Sequence, residues 1–348
     1  MSSTSVGVEI TEESVRAVEV SLGRQPRVLA YGEVPLPPDA AKDSEIVDAG
    51  AVAVAISQLW SNAKIKSKSV TLGIASRRVL VREYSTPAMP PEVLRKALPF
   101  QVQDLLPVPV DQAVLDYYPT SRSGDTLNGL LVAAVAETVE QLIAAFARTK
   151  IRVQGVDLTA FGLARAARVI APLGTVAMIH VGDHTTQVVI MRDGVPEFVR
   201  ILPADLETSA VRRRNVVSSD ENLLEVDDTA DELVGAAGIV PAGATRGGMR
   251  GALRGDVGER PVIDLIARLR STLSFYLNRP GASAIHQVLI TGAGAVVNGL
   301  IPGLQEKSEV PVRLVSIGDV VGMREGAVVG ETALNLVSTV GLALGKDS

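Results

Sequence analysis

The chain has 348 residues, of which 47% are hydrophobic and 3% aromatic, and its formal net charge is −5. This length allows two or three packed domains, while the acidic balance and the scarcity of aromatic residues argue against a nucleic-acid-binding surface. The chain contains no cysteine, which excludes disulfides, thiolate metal sites and cysteine nucleophiles. No basic and apolar leader opens the sequence, so a cytoplasmic location is expected.

The first part of the chain predicts a small sheet with one helix. Residues Val6–Ile10 and Ser14–Val20 alternate apolar and polar side chains around a polar turn, as in a β-hairpin. Arg27–Val34 supplies a third strand and leads into a proline-rich loop. The remaining elements predicted here are a helix over Ala49–Lys64 and strands over Val70–Ile74 and Val79–Tyr84.

A change in composition at Thr86 indicates a separate subdomain. Seven prolines follow within a short stretch, at Pro87, Pro90, Pro91, Pro99, Pro107, Pro109 and Pro119. Pro91 suits the first turn of a helix, which is predicted to end at Ala97. The later elements predicted are strands Val114–Tyr118 and Gly129–Ala136, a helix Glu137–Thr149, a strand Val153–Asp157 and a helix Thr159–Ile170.

The chain then repeats its opening pattern. Strand candidates Val176–Val181, Thr186–Met191 and Glu197–Leu202 follow one another, with Asp193-Gly194 as a hairpin turn. The series of strand, polar turn and strand therefore occurs twice, which predicts two related halves that face each other.

The last part of the chain is glycine-rich before it becomes helical. The stretch 235–258 predicts a mobile loop, and Arg212, Arg213 and Arg214 predict a solvated face, with an anion site as the alternative. Helices are predicted over Val262–Leu277 and Glu331–Leu344. The longest stretch without charges, Pro280–Gln305, is interrupted by prolines and glycines and does not predict a membrane span.

Three turns have a design that suits phosphate groups. The first is Thr11–Glu13, the second Gly182–Thr185, and the third Gly292–Gly294 between a strand and a helix. Such turns direct backbone amides at anions, and a helix N-terminus adds a favourable dipole. Taken singly, each turn is a weak signal, and a turn such as Gly292–Gly294 is more often a tight strand-to-helix connection that glycine makes sterically easy.

In this order the turns resemble the phosphate and adenosine motifs of actin-like ATPases. The segments RKALPFQVQDLLPVPVDQAVLDYYP, GVEITEESVRAVEV, VDLTAFGLARA and LRSTLSFY resemble, more closely, the PilM family of type IV pilus assembly proteins, relatives of the cell-division protein FtsA. The resemblance runs from about Gly7 to Gly341 and is weak only over about Asp205–Pro261.

The resemblance implies an α/β, actin-like fold: a duplicated ribonuclease H-like unit with an inserted FtsA-type 1C or SHS2-like subdomain. The expected divisions are a first half (1–85 and 151–173), the insert (86–150), a second half (174–205 and 283–348) and a smaller 2B-type subdomain (206–282). ATP and Mg²⁺ would lie between the two halves.

The resemblance also implies a partner, the N-terminal cytoplasmic peptide of a PilN-type inner-membrane protein. The peptide would enter a groove between the core and the insert, with contacts to Val79, Val81, Leu98 and Phe100. The protein would then sit at the inner face of the cytoplasmic membrane through that partner, with self-association a further expectation. A pilus-assembly scaffold is thus expected, and the alternative is an active ATPase or small-substrate kinase.

Three positions depart from the family pattern. Glu9 and His180 stand where aspartates are usual, and Thr11 replaces a glycine. Glu9 keeps a carboxylate that could hold Mg²⁺ through water, whereas a neutral histidine cannot replace an anionic oxygen. ATP binding is therefore expected more than hydrolysis. The residues expected to contact the nucleotide are Glu9, Thr11, Glu12, Gly182, Asp183, Thr185, Asp231, Gly292, Ala293 and Gly294.

Two further residues have a candidate role and a simpler alternative. Asp157 stands where actin-like ATPases place a water-orienting group, but an aspartate before a helix is also a common N-cap. His180 is expected to be a hydrogen-bonded interior histidine rather than a metal ligand, because the other histidines are not at ligand spacing.

Overall fold

The structure, a computed structural model, describes residues 3–216, 252–306, 308–323 and 328–347. The strands are β1 (Thr4–Ile10), β2 (Ser14–Ser21), β3 (Arg27–Pro35), β4 (Ala41–Lys42), β5 (Glu45–Ile46), β6 (Ser69–Ile74), β7 (Leu80–Pro87), β8 (Ala113–Ser123), β9 (Thr126–Val135), β10 (Arg152–Leu158), β11 (Thr175–Val181), β12 (Thr185–Arg192), β13 (Val195–Pro203), β14 (Gln287–Thr291) and β15 (Val312–Leu314). The helices are α1 (Ala49–Ala63), α2 (Pro91–Val102), α3 (Ala136–Ala147), α4 (Thr159–Ile170), α5 (209–216), α6 (Ala252–Leu277), α7 (Leu300–Glu306), α8 (Ile317–Val320) and α9 (Gly330–Ala343).

Two sheets of the same design form the centre of the molecule. The first has the strand order β10-β6-β1-β2-β3 and the second β13-β12-β11-β14-β15. In each sheet the first three strands along the chain pair antiparallel, and the last two join in parallel beside the first. The repeated order and the repeated directions confirm the expected duplicated, actin-like fold.

Strand β11 shows how the sequence positions the second sheet. All seven of its residues are buried. Val176 and Met178 belong to the central hydrophobic cluster, whereas Ala177 and Ile179 join a second cluster with α6 and α7 on the other face. A strand that is covered on both faces must be apolar throughout, which explains the continuous run TVAMIHV.

Two helices, α4 and α9, link the sheets. Helix α9 contacts β1 and β2 of the first sheet and β14 of the second, and α4 contacts both sheets and α9. The two helices cross at Gly162 and Gly341, where a Cβ on Gly341 would overlap the carbonyl group of Gly162. The halves therefore share one core rather than meeting at a separate interface.

The insert is a three-stranded sheet, ordered β7-β9-β8, covered by α2. Leu94, Leu98 and Val102 recur at helical spacing and are buried with Leu131 of β9. Two predictions need correction here. The boundary expected at residues 85 and 86 falls inside β7, and α2 continues through Pro99 to Val102 instead of ending at Ala97.

The glycine-rich stretch 235–258, which is predicted to be a loop, lies largely outside the described residues. Its last residues are described, and they are helical rather than a loop. Helix α6 already begins at Ala252, because the helical pattern extends through Pro261. Within the described residues, no helix has both the length and the hydropathy that a membrane crossing requires.

Candidate functional site

The first and second predicted turns meet where the two sheets face each other. Glu9 pairs with Arg16 across β1 and β2, and His180 pairs with Gln187 at the equivalent place in β11 and β12. These four side chains line one shared cavity together with residues of both turns. The duplication of the fold thus brings the first two predicted turns to one cavity, whose lining does not include the third turn.

A buried arginine joins the two halves. Arg16 is 1% exposed, and its Nε donates to Glu33 at 2.8 Å while its Nη2 lies 3.3 Å from Asp183. The second carboxylate oxygen of Asp183 accepts a hydrogen bond from Thr208. We call Arg16, Glu33 and Asp183 the arginine cluster.

In the arginine cluster, the opposite charges of Arg16 and its acidic partners offset the unfavourable effect of burial. Burial disfavours the charged form of Arg16, but Glu33, Asp183 and Glu9 raise its pKa above the ordinary value. Burial would also raise the pKa of the Glu33 carboxyl, yet Arg16 and Ser14 hold it below the usual range. Asp183 therefore binds an arginine and a hydroxyl rather than standing open to a ligand.

A second group of charges closes the cleft beside it. The Nε2–H of His184 donates to Glu13 at 2.8 Å, and Nη1 of Arg214 lies 2.8 Å from Glu13 and 3.3 Å from Glu12. Burial opposes charging of the imidazole, but Glu13 and Glu12 raise the pKa of His184. We call Glu12, Glu13, His184 and Arg214 the histidine cluster.

The three predicted surface arginines therefore differ in environment. Arg212 and Arg213 are exposed, in agreement with a solvated helix face. Arg214 instead turns toward the first half of the protein and pairs with its acidic turn.

Glu9 has hydroxyl partners from helix α9. Its Oε2 accepts hydrogen bonds from Ser338 at 2.6 Å and from Thr339 at 2.7 Å. Burial raises the pKa of this carboxyl, although both hydroxyls and Arg16 act in the opposite direction. Glu9 thus anchors α9 to β1, and in this arrangement it is not presented to a hydrated Mg²⁺.

The first amide of each of the first two turns donates within its own turn. The N–H of Thr11 donates to the carbonyl of Ser14 at 2.9 Å, and the Thr11 hydroxyl donates to the same carbonyl at 3.1 Å. The N–H of Gly182 donates to the carbonyl of Thr185 at 2.9 Å. These donors close hairpins and do not face a phosphate.

The third turn is filled by protein. Gly292 has a φ of 90°, and the N–H of Ala293 donates to Asn335 Oδ1 at 2.7 Å. A Cβ at Gly294 would meet Leu206 at 2.8 Å, so this glycine permits close packing. A short 3-10 turn, Ala293–Val296, follows Gly292, and α7 begins only at Leu300. The predicted helix N-terminus behind the turn is therefore absent from this position.

His180 is an interior histidine, as expected, but its hydrogen bonding is incomplete. Burial and the nearby Arg16 lower its pKa to about 3, against the opposite effect of Asp183, so the ring is neutral near pH 7. Its Nδ1 and the Oε1 of Gln187 are both buried and have no hydrogen-bond partner among the described residues. Both side chains line the shared cavity, which has room for a water molecule.

Asp157 has neither of its two predicted roles. It lies at the end of β10 and forms an ion pair with Arg165, which also donates to the carbonyl of Gly341 at 2.7 Å. The N-cap of α4 is Leu158, without a side-chain hydrogen bond. Asp157 does not line the shared cavity. Asp231 lies outside the described residues.

The space between the turns decides what the site can hold. The shared cavity has a volume of about 20 Å³. That is enough for one water molecule, which needs about 10–15 Å³, but ligand pockets have about 300–1,000 Å³. A magnesium nucleotide does not fit these residues as they are arranged.

The histidine cluster is also a candidate cation site. Ligand atoms of Glu12, Glu13 and His184 lie within 4.8 Å of one another. Mg²⁺ prefers oxygen ligands and retains water, whereas one ligand here is an imidazole. Arg214 already supplies the positive charge between the two carboxylates.

The sequence analysis does not identify Arg16 and Glu33 as residues that close the cleft, and it names Arg214 only as part of a basic run. A signal is present for Arg16, since it interrupts the otherwise apolar positions of a predicted buried strand. No local pattern points to Glu33 or to the acidic partners of Arg214, because these contacts join elements distant in the sequence.

The predicted partner-binding residues are mostly buried. Val79 and Leu98 are 8% and 3% exposed, and Val81 is half-buried against the central core. Only Phe100 is an exposed side chain, at 79%. Three of the four thus pack inside the fold, and only Phe100 offers apolar surface to a partner.

The insert has an apolar cavity of about 120 Å³ between α2 and β8. Its walls are Met89, Pro91, Leu94, Arg95, Leu98, Leu115, Asp116, Tyr117, Pro119 and Leu127. Tyr117 is fixed there, because its hydroxyl donates toward the carbonyls of Tyr84 and Leu127, at 2.9 Å and 3.0 Å. The cavity is thus a preformed apolar depression that carries a single cation, Arg95.

A larger, polar cleft of about 290 Å³ separates the insert from the second half. Glu83 of β7 forms an ion pair with Arg279 across it. The Arg279 guanidinium also lies 5.5 Å from the ring centre of Phe198 and 5.3 Å from that of Tyr276. The ion pair between Glu83 and Arg279 thus connects the insert to the second half.

Comparison with solved structures agrees with this architecture. The fold is similar to a chain of a PilM-PilN type IV pilus biogenesis complex, with a TM-score of 0.76 and 20% identity, over 98% of this chain and 97% of that one. The ethanolamine utilization protein EutJ from Carboxydothermus hydrogenoformans matches with a TM-score of 0.50 and 12% identity, over 98% of this chain and 89% of that one.

The family comparison is independent of the fold. A family model described as type IV pilus assembly protein PilM matches residues 7–202, more than half of the 348 residues. This match includes the first two turns and the whole insert. The chain belongs to the PilM family of type IV pilus assembly proteins.

Proposed function

We propose that this protein is a scaffold of type IV pilus assembly, or of a related secretion system, that binds the N-terminal cytoplasmic peptide of a PilN-type inner-membrane protein. Family membership and the similarity to a chain of a PilM-PilN complex support the proposal. Peptide binding would hold the protein at the inner face of the cytoplasmic membrane.

The observation that carries the proposal is the apolar cavity between α2 and β8. It is preformed, and its hydrophobic walls suit the anchoring side chain of an extended peptide. The same helix and strand also carry exposed apolar side chains, Val93 and Phe100 on α2 and Val114 on β8, at 51%, 79% and 46% exposure. Exposed apolar surface of this kind favours a protein partner.

An ATPase or small-substrate kinase gains no comparable support from the described residues. Phosphoryl transfer needs carboxylates around Mg²⁺ and a group that orients the nucleophile. Glu9 accepts two hydroxyl hydrogen bonds, His180 is neutral, and Asp157 pairs with Arg165. Scaffolding is therefore the function that the site geometry favours.

Calorimetric titration with a synthetic N-terminal peptide of the PilN-type protein tests the proposal. We expect saturable binding, and none of a scrambled peptide with the same composition. Binding of neither peptide by folded protein, at concentrations up to about 1 mM, a limit of about −4 kcal/mol in binding free energy, would contradict the proposal.

A matched pair of variants tests the location of the peptide. Arg95 lines the apolar cavity and neighbouring Lys96 does not, and both are exposed on α2. Arg95→Trp should cover the cavity and weaken binding at least about tenfold, which is about 1.4 kcal/mol, while Lys96→Trp should leave it nearly unchanged. Equal affinities for the two variants would place the peptide elsewhere.

A further inference from the structure

We infer that the cleft between the two halves is a nucleotide-independent clasp, in which the arginine cluster and the histidine cluster hold the halves together where the resembled fold family places a magnesium nucleotide. The inference concerns the shared cavity and the two turns, and it does not depend on the peptide partner proposed above. Three observations lead to it.

The first observation is that both clusters cross the cleft. Arg16 and Glu33 lie on the first sheet, and Asp183 lies in the turn of the second. Glu12 and Glu13 lie in the turn of the first sheet, while His184 and Arg214 follow from the second half. Each cluster is thus a direct ionic connection between the halves.

The second observation is the burial of these charges. Side-chain exposure is 1% for Arg16 and 3% each for Asp183 and Glu13. Buried charges without partners are strongly destabilising. A ligand that opened the cleft would therefore have to provide new partners for all of these charges. Arg16 supplies inside the protein the positive charge that a divalent cation would otherwise bring.

The third observation is that several donors and acceptors of the predicted nucleotide site already have protein partners. Oε2 of Glu9 accepts from Ser338 and Thr339, and the Ala293 amide donates to Asn335. The Gly182 amide donates to the carbonyl of Thr185 in its own turn. The cavity that remains has a volume of about 20 Å³, far below that of a ligand pocket.

The clasp predicts that nucleotides neither bind nor stabilise the protein. A ligand that binds only the folded state raises its melting temperature by mass action. We expect no shift beyond measurement error with about 5 mM ATP or ADP, with or without Mg²⁺, in the full chain. A shift of several degrees, together with saturable binding in equilibrium dialysis, would overturn the inference.

The distance between the halves gives a second, independent readout. The chain has no cysteine, so Gln58→Cys on α1 and Ser271→Cys on α6 provide two exposed spin-label sites. Electron paramagnetic resonance should give one narrow distance distribution that magnesium ATP does not change. A distribution that is broad without nucleotide and narrows or shifts on its addition would contradict the clasp.

Variants of the clusters show whether these charges hold the cleft closed. Arg16→Met should broaden the distance distribution and lower the melting temperature, and Arg214→Met provides the same test if the first variant fails to fold. Arg212→Met is the control, because Arg212 lies exposed on the same helix as Arg214. An unchanged distribution in Arg214→Met, or equal broadening in Arg212→Met, would overturn the inference.

Discussion

At the scale of single residues, the same positions that suggest a nucleotide site have been given structural partners. Position 180 illustrates this. A carboxylate at position 180 would lie beside the carboxylate of Asp183, and a cation would be needed to offset the repulsion between them. The neutral His180 causes no such repulsion and lies beside the charged Arg16. A neutral side chain at position 180 is therefore compatible with the buried Arg16–Asp183 ion pair beside it.

His180 also gives the protein a predicted dependence on pH. Its pKa is about 3 in the folded protein and 6.5 in the unfolded chain. Below pH 6.5 the unfolded chain binds a proton that the folded protein does not, so stability is full above pH 6.5 and falls with acidification. When the pH falls from 7.5 to 5.0, this histidine should lower the free energy of unfolding by about 2 kcal/mol.

The His180→Gln variant isolates this contribution, because glutamine keeps a polar side chain that does not titrate. Arg16, Asp183 and Glu9, the charged groups near the ring, remain in both proteins. Urea unfolding at both pH values should show a smaller acid-dependent loss in the variant than in the natural protein. Equal losses would show that His180 is already protonated when the protein is folded.

At the scale of helices and strands, local patterns predicted most elements and failed where distant contacts decide. The prediction of α4 over Thr159–Ile170 is confirmed, and the hairpin strands of both sheets lie where the alternation placed them. Strand β7 was assigned to the first half because composition changes only at Thr86. Its pairing with β9 makes it part of the insert, and no local pattern reports that pairing.

Helix α2 was predicted to be too short for a related reason. Proline normally ends a helix, yet Pro99 lies inside Pro91–Val102. The burial of Leu98 and Val102 against Leu131 keeps the helix intact despite the missing backbone hydrogen bond. Tertiary packing thus overrides the tendency of proline to end a helix. The destabilising effect of Pro99 on the helix nevertheless remains.

Replacing that proline should therefore stabilise the protein. Pro99→Ala restores a backbone donor and relieves the steric conflict in the helix interior, with an expected gain of roughly 1–3 kcal/mol in unfolding free energy. Pro91→Ala is the matched control, since proline suits the first helical position and its loss should change stability by less than about 0.5 kcal/mol. Chemical denaturation measures both; equal stabilities would show that packing of the half-buried Pro99 ring offsets the strain.

At the scale of the whole molecule, the clusters in the cleft and the helix pair α4 and α9 join the same two sheets. The central hydrophobic cluster contains Val8 of the first sheet, Met178 of the second and Val340 of α9. Leu130 and Ala134 of β9 in the insert also belong to this cluster, whereas α2 packs on the other face of the insert sheet in a small cluster of its own. The fold could be predicted from repeated motifs, but the closed cleft could not, because its contacts join residues from opposite halves.

The crossing of α4 and α9 should therefore control both sheets at once. A Cβ on Gly341 would overlap the Gly162 carbonyl, so Gly341→Ala must force the helices apart. We expect a loss of roughly 1–3 kcal/mol, in the range of other overpacked cores. In native-state hydrogen exchange, amides of β1 and β11 should exchange faster, while those of α2 in the insert change little, because α2 packs in a separate cluster and sub-global openings follow separate packing units.

Gly23→Ala serves as the control, since a Cβ there meets nothing within 4 Å and should leave exchange in β1, β11 and α2 unchanged. Faster exchange in β1 alone would mean that each half opens by itself, and the shared core would then be a contact rather than a cooperative unit. Faster exchange in both sheets would show that a single methyl group at the crossing is transmitted to both halves. A scaffold that keeps its shape without a bound nucleotide needs this coupling, because the protein itself must supply the rigidity.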